Sequence, residues 1–304
     1  MKKAQHNSWN HWIAAMRPRT LPLAVASIGM GSFLAAKDEL FDPIVFWLAA
    51  LTAICLQILS NLANDYGDSV HGADSMERTG PKRAVQTGAI TKKAMKNGMI
   101  LLSILSFVSG IILLTYAIQT KQDFLIFFSI GIAAIVAAIT YTSGAFPYGY
   151  RGLGDVFVLI FFGWVATLAT YYLHGHTFEK LYFLPATALG LLTMAVINVN
   201  NVRDIESDRL AGKYSIPVRL GRDKAVVYHW LLLVGALILT VIYVLMDFRG
   251  WWQFLFLLSL PFLWVNGRAV QTKTVAMELD PYLKQMAIAT VIFVITFGVG
   301  QLIA

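Results

Sequence analysis

The sequence predicts an all-α integral membrane protein, a bundle of about nine transmembrane helices. Hydrophobic residues make up 57% of the chain and charged residues 13%, and the mean hydropathy is +0.63, whereas a soluble domain carries about 25% charged residues. The apolar runs reach about 17 to 25 residues, enough for a helix to cross the hydrocarbon of a bilayer. No alternating pattern favours a membrane β-barrel.

The apolar segments that define the predicted helices follow one another along the whole chain. We place them at 20–36, 44–64, 98–118, 124–142, 153–173, 181–201, 226–246, 251–266 and 284–303. We expect residues 1–304 to form a single membrane domain of two related halves, about 1–142 and 143–304.

Residues 1–19 precede the first span. Within them, Trp9 and Trp12 are three positions apart and are followed by Ile13 and Met16. A short helix here would carry an apolar stripe suited to the membrane surface. A solvated tail is the alternative.

Two similar polar stretches end the second and sixth apolar segments. In the first, Asn64 and Asp68 are four residues apart, and in the second Asn200, Asp204 and Asp208 follow the same spacing. Residues spaced by four lie on one face of a helix. Because the second and sixth spans run in the same direction, we expect both polar faces to emerge at the same membrane interface and to converge on one ligand.

The basic residues indicate which interface this is. On the side shared by the N-terminus and both acidic stretches lie 20 of the 24 lysines and arginines, and the other side has only Lys37, Lys121, Lys180 and Arg249. The positive-inside rule therefore predicts that the N-terminus and the acidic stretches are cytoplasmic and the C-terminus is outside. The same bias accounts for the net charge of +7, so we expect no nucleic-acid partner.

Aspartates at these positions call for a compensating cation. Both stretches stand at helix C-termini, the negative end of the helix dipole, where carboxylates are disfavoured. Three structural explanations compete: a solvated loop, helix capping by asparagine, and pairing with the neighbouring Arg203 or Arg209. The repetition of the spacing in two equivalent places favours a shared site over these explanations.

The residue types indicate a magnesium-diphosphate site. Carboxylates and carboxamides without histidine or cysteine suit a hard cation such as Mg²⁺, which bridges to substrate phosphates. The candidate ligands are Asp65, Asp68, Asp204 and Asp208, with the carboxamides Asn64, Asn200 and Asn201 beside them. Nearby basic residues could hold the remaining phosphate oxygens: Arg78, Lys82, Arg83, Arg203, Lys213 and Arg219.

The connection after the fourth segment supplies two further candidates. Arg151 could bind the carboxylate of an aromatic acid, and Tyr141 could stack on its ring or steady a cation. The alternative is an aromatic belt at the membrane interface.

These motifs resemble the UbiA superfamily of membrane prenyltransferases, in which two aspartate-rich motifs lie at the cytoplasmic ends of the second and sixth of nine helices. The resemblance spans essentially the whole chain. It is closest to the branch that prenylates 1,4-dihydroxy-2-naphthoate in menaquinone synthesis, through the stretches 17–22, 59–68, 147–155 and 217–221.

The resemblance implies a UbiA-type fold in a bacterial inner membrane. It also implies transfer of a polyprenyl chain from polyprenyl diphosphate to dihydroxynaphthoate, with loss of CO₂ and diphosphate, giving demethylmenaquinol. One departure is Gly72, which stands where the superfamily often has a third aspartate, so the role of Asp74 is left open. Two alternatives remain: another acceptor, such as 4-hydroxybenzoate or homogentisate, and a secondary transporter.

Overall fold

The helices follow the predicted apolar segments closely. A computed structural model describes residues 7–71, without the side chain of His71, and residues 83–304. In these parts of the chain the helices are α1 Trp9–Met16, α2 Leu21–Lys37, α3 Pro43–His71, α4 Lys92–Ala117, α5 Lys121–Thr140, α6 Gly154–Gly175, α7 Lys180–Arg203, α8 Ile205–Leu210, α9 Ile216–Leu220, α10 Arg222–Met246, α11 Trp251–Thr272 and α12 Ala276–Leu302.

The prediction of nine membrane spans is confirmed in the described residues. There, nine helices are long and apolar enough to cross a membrane, one for each predicted segment. The second span, α3, continues past its predicted end at residue 64 as far as His71 and keeps the first acidic stretch helical. The fifth span, α6, has π-type hydrogen bonding through Leu159–Ala169.

The described residues bury three apolar clusters, of which two are the larger cores of the bundle. The larger core joins α2, α6, α7 and α10–α12 and includes the fully buried rings of Tyr243, Phe256 and Phe293. The smaller core joins α1, α3 and α4. Many large apolar side chains on the outside remain exposed, such as Trp47 and Leu231, as expected where lipid surrounds a membrane protein.

The N-terminal segment forms the predicted helix α1. Trp12 packs so closely on α4 that a Cβ added to Gly98 would come within 2.9 Å of the indole ring. Ala15 is buried, whereas Trp9 is 79% exposed. The segment is therefore folded against the bundle, and the alternative of a solvated tail is wrong for residues 9–16.

Candidate active site

The first acidic stretch is buried at the end of α3 and contacts a cation from the following loop. Asp65 and Asp68 are 2% and 1% exposed. The Arg83 guanidinium donates to the Asp68 carboxylate and, at 2.9 Å, to the backbone carbonyl of Asn64, and its Nε lies 4.0 Å from Asp65 Oδ1. The Tyr150 hydroxyl donates to Asp68 Oδ1 at 2.8 Å. A buried carboxylate needs such partners to remain ionised.

The second stretch crosses a break between α7 and α8. At Asp204 the backbone leaves helical geometry, with φ −100° and ψ 14°. The N–H of Asp204 nevertheless donates to the carbonyl of Asn200 at 3.1 Å, and that of Asp208 to the carbonyl of Asp204 at 2.8 Å. The predicted spacing by four thus persists through the break.

Two cations pair with the second stretch. Arg203 donates to both carboxylate oxygens of Asp204 at 2.8 Å and to Oδ1 of Asn200 at 2.7 Å. Lys213 Nζ lies 2.9 Å from Asp208 Oδ2. Pairing of Asp204 with Arg203, one of the competing structural explanations, is therefore present, and it involves buried groups.

Tyr150 connects the first stretch with the segment that carries Lys213, because its hydroxyl donates to Asp68 and its carbonyl accepts from the N–H of Tyr214 at 2.9 Å. Burial lowers the pKa of Lys213, but the carboxylates of Asp208 and Asp68 outweigh this effect and raise it above the usual value. Burial raises the pKa of Asp208, which Lys213 lowers in part and Asp204 and Asp68 raise further. Asp68 at the end of α3 and Asp208 in α8 thus act on the same ammonium group.

An apolar cavity of about 380 Å³ opens between α2, α3, α4, α5, α6 and α7. Most of its wall is apolar, including Phe128 and Phe161. Its polar lining residues are concentrated near the ends of α3 and α7, at what we call the site end of the bundle. Three of them are predicted site residues: Asn64, Asn200 and Tyr141.

The loop that carries Tyr141 is fixed against α3. The hydroxyls of Thr142 and Ser143 donate to the carbonyl of Ala63 at 2.9 and 3.1 Å. A Cβ at Gly149 would meet the Tyr141 ring, so glycine makes room for it there. The ring lies edge-on to Tyr148, which also lines the cavity. Burial is the main cause of the raised pKa of Tyr141.

Several predicted site residues lie away from the cavity. Arg151 is exposed and packs over the ring of Phe146 at 4.8 Å. Arg219 donates at 2.9 Å to the backbone carbonyl of Arg151 and so connects α9 with the segment before α6. Asn201 is buried in α7 but is not among the described residues that line the cavity. Three further candidates lie outside the described residues: Asp74, Arg78 and Lys82.

The structure also reveals functional candidates that sequence reasoning missed. Arg17 and Arg19 line the cavity together with Gln57 and Asn61. The Arg17 guanidinium lies 3.5 Å from Oδ1 of Asn64. Both arginines belong to the stretch 17–22, which carried only the family resemblance. The sequence feature that could have indicated them is a pair of arginines immediately before an apolar span.

The carboxylates suit a hard cation in their chemistry, but they are paired with side chains. In the part of the chain that the structure describes, no three histidine, cysteine, aspartate or glutamate side chains are grouped so that they could hold a metal ion. Arg83, Arg203 and Lys213 contact the carboxylates instead. A metal ion would have to take over the role of these cations.

Comparison with known proteins places this geometry in context. Residues 23–288 match the UbiA prenyltransferase family. The chain is 44% identical over 300 residues to a 1,4-dihydroxy-2-naphthoate octaprenyltransferase of Escherichia coli, covering 99% of this chain and 97% of the relative. It is 45% identical over 304 residues to the enzyme of that name from Haemophilus influenzae, covering 99% of each.

Solved structures share the fold. A UbiA homolog from Aeropyrum pernix aligns with a TM-score of 0.68 at 17% identity, covering 92% of this chain and 97% of the homolog. A UbiA homolog from Archaeoglobus fulgidus bound to GPP and Mg²⁺ aligns with a TM-score of 0.66 at 17% identity, covering 97% and 100%. The overall fold is therefore common to all three chains.

Proposed function

Because the chain belongs to the UbiA prenyltransferase family, we propose that it transfers a polyprenyl chain from polyprenyl diphosphate to 1,4-dihydroxy-2-naphthoate. The products are demethylmenaquinol, CO₂ and diphosphate. The observation that carries the proposal is an apolar cavity whose lining includes Asn64 and Asn200, one residue from each aspartate stretch. The names of the relatives at 44% and 45% identity support this acceptor.

Four aspartates would hold the metal. Asp65, Asp68, Asp204 and Asp208 are buried and present only oxygen donors, which fits Mg²⁺. The ion bound to the Archaeoglobus homolog supports this choice. Mg²⁺ bound there would neutralise the negative charge that develops on the departing diphosphate.

Basic side chains would complete the diphosphate site. Arg83, Arg203 and Lys213 already lie against the aspartates, so they are within reach of phosphate oxygens brought to the same place. An arginine can bind two such oxygens at once. We propose that these residues exchange a carboxylate for a phosphate when the substrate binds.

The cavity would hold the apolar chain and keep water from the reacting carbon. The allylic C–O bond breaks and its electron pair leaves with diphosphate, while the electron-rich ring forms a new C–C bond to the allylic carbon. The carboxylate departs as CO₂ and returns the electrons of its bond to the ring. Tyr141 and Tyr148 line the cavity, where their rings could stabilise allylic positive charge.

The chain is a multi-pass membrane protein, and we propose that it lies in the inner membrane of a bacterium. The placement of 20 of the 24 lysines and arginines supports a cytoplasmic site end, with the N-terminus inside and the C-terminus outside.

Purified enzyme in lipid nanodiscs, supplied with a polyprenyl diphosphate, provides the test. We expect prenylation of dihydroxynaphthoate with release of CO₂, loss of activity on chelation by EDTA, and its recovery on adding Mg²⁺. Asp204→Asn should be inserted normally and nearly inactive. Prenylation of 4-hydroxybenzoate or homogentisate in place of dihydroxynaphthoate would contradict the proposed acceptor.

A secondary transporter is the rival from another class. Transporters place their charged binding groups near the membrane midplane. In this chain Asp68 and Asp208 lie at one end of the bundle, where α3 ends and α8 begins. This position favours an enzyme that works at the interface.

A further inference from the structure

We infer that Arg17 and Arg19 bind the carboxylate of the aromatic acceptor and thereby select an acid as substrate. The inference rests on the proposed function and deepens it, since it assigns one end of the cavity to the acceptor.

The first support is the distribution of charge along the cavity wall. Of the described residues that line the cavity, only Arg17 and Arg19 are charged. The remaining polar groups at the site end are neutral amides and hydroxyls, among them Gln57, Asn61 and Tyr141. An anionic group entering an apolar cavity requires a cationic partner, and arginine binds a carboxylate through paired N–H groups.

The second support is the backbone of Arg17, which has φ 51° and ψ 66°. This left-handed conformation is unfavourable for residues other than glycine and is concentrated at functional sites. Pro18 follows directly and disfavours a right-handed helical conformation at the preceding residue. The sequence thus ends α1 at Arg17 with a side chain that reaches the cavity.

Neighbouring side chains hold this turn in place. The Thr20 hydroxyl donates to the carbonyl of Arg17 at 2.9 Å. Asn61 in α3 donates to the carbonyl of Met16 at 2.9 Å and to Thr20 Oγ1 at 3.1 Å. The turn is therefore fixed to the same helix that carries the first aspartate stretch, so the position of Arg17 relative to that stretch is set before substrate binds.

Arg19 is oriented by a carboxylate from the last helix. Its guanidinium lies 3.3 Å from Asp280 Oδ2, and Asp280 also accepts a hydrogen bond from Arg203. Asp280 therefore acts as a positioning residue, since it connects an arginine of the cavity wall with the arginine that holds Asp204. Asp280 thus links an arginine that we assign to the acceptor with the arginine that pairs with a proposed metal ligand.

The diphosphate is the other anion that these arginines could bind. The four aspartates of the two stretches and their cations Arg83, Arg203 and Lys213 are not among the described residues that line the cavity. They already provide a charged place for phosphate beside it. The acceptor carboxylate is the anion that must lie inside the cavity with the aromatic ring, against Tyr141 and Tyr148.

A pair of ligands that differ in one carboxylate tests the inference directly. Binding of 1-hydroxy-2-naphthoate and of 1-naphthol is measured by calorimetry on the full chain in nanodiscs, without Mg²⁺ or prenyl diphosphate. We expect the wild type to prefer the acid by about 10- to 100-fold, the usual effect of a hydrogen-bonded ion pair. In Arg17→Gly and Arg19→Gln this preference should fall to about threefold or less.

The variants are chosen so that folding does not obscure the result. Glycine suits the backbone at position 17, so Arg17→Gly removes the guanidinium and relieves the turn. Arg268→Gln, at an exposed arginine in the last turns of α11, is the matched control and should keep the preference. In turnover assays, KM for the acceptor should rise while KM for polyprenyl diphosphate changes little.

Two outcomes would overturn the inference. One is equal binding of acid and naphthol by the wild type, or an acid preference that survives in both arginine variants. The other is a rise in KM for polyprenyl diphosphate with KM for the acceptor unchanged, which would assign the arginines to phosphate. Failure of the proposed function is a separate result, namely wild-type enzyme that transfers no prenyl group to dihydroxynaphthoate.

Discussion

Replacing Lys213 by methionine should expose the dependence of the second aspartate stretch on its buried cation. The side chains of Lys213 and Asp208 are 6% and 8% exposed, with Nζ 2.9 Å from the carboxylate. Removing one member of a buried ion pair leaves the other charge uncompensated and costs about 3–5 kcal/mol. At roughly 2 °C per kcal/mol for a long chain, Lys213→Met should unfold about 6–10 °C below wild type.

Thermal unfolding in detergent measures this shift, and the eight tryptophans provide an intrinsic fluorescence signal. The double variant Lys213→Met/Asp208→Asn should recover most of the lost stability, because it removes the orphaned charge. The double variant should be inactive, since a proposed metal ligand is gone. A single variant within 2 °C of wild type, or a double variant no more stable than the single one, would refute the reasoning.

Two other predictions test the first stretch and its contact with the loop after α5. Asp68→Asn should lower turnover by about 100-fold or more without changing membrane insertion, whereas Arg249→Ala should leave turnover near wild type; equal turnover in all three enzymes would contradict the assignment. Gly67→Ala would place a Cβ against the backbone carbonyl of Thr142 and should cost about 1–3 kcal/mol, while Gly131→Ala, which faces open space, should not lower the unfolding temperature.

The spans, and the side of the bundle at which the two stretches end, were predictable because both follow from local rules. Length and hydropathy define a transmembrane helix, and two spans of the same parity end at the same side. The spacing of Asn200, Asp204 and Asp208 by four also survived, even though α7 ends at Arg203, since backbone hydrogen bonds continue through the break.

Contacts between distant parts of the chain were not predictable. Arg19 meets Asp280 across 261 positions, and no local pattern indicates that pair. The positive-inside rule explains every basic residue on the cytoplasmic side equally well. It therefore could not distinguish Arg83, which contacts Asp68, from Arg151 on the surface. Glycine packing shows the same limit: a Cβ at Gly31 would strike the carbonyl of Thr167, whereas one at Gly29 meets only Val294 at 3.9 Å.

The cations that already pair with the aspartates bear on the order of binding. The helix dipole argues that the aspartates need positive charge, and the structure supplies it through Arg83, Arg203 and Lys213. If these basic side chains bound a diphosphate in the absence of a metal ion, the buried carboxylates would lose their compensating charge. If a metal ion bound in the absence of diphosphate, its positive charge would lie close to those of the basic side chains and repel them. Each ligand should therefore favour the other. We expect calorimetry to show tighter Mg²⁺ binding when inorganic diphosphate is present, and equal affinity with and without it would contradict this account.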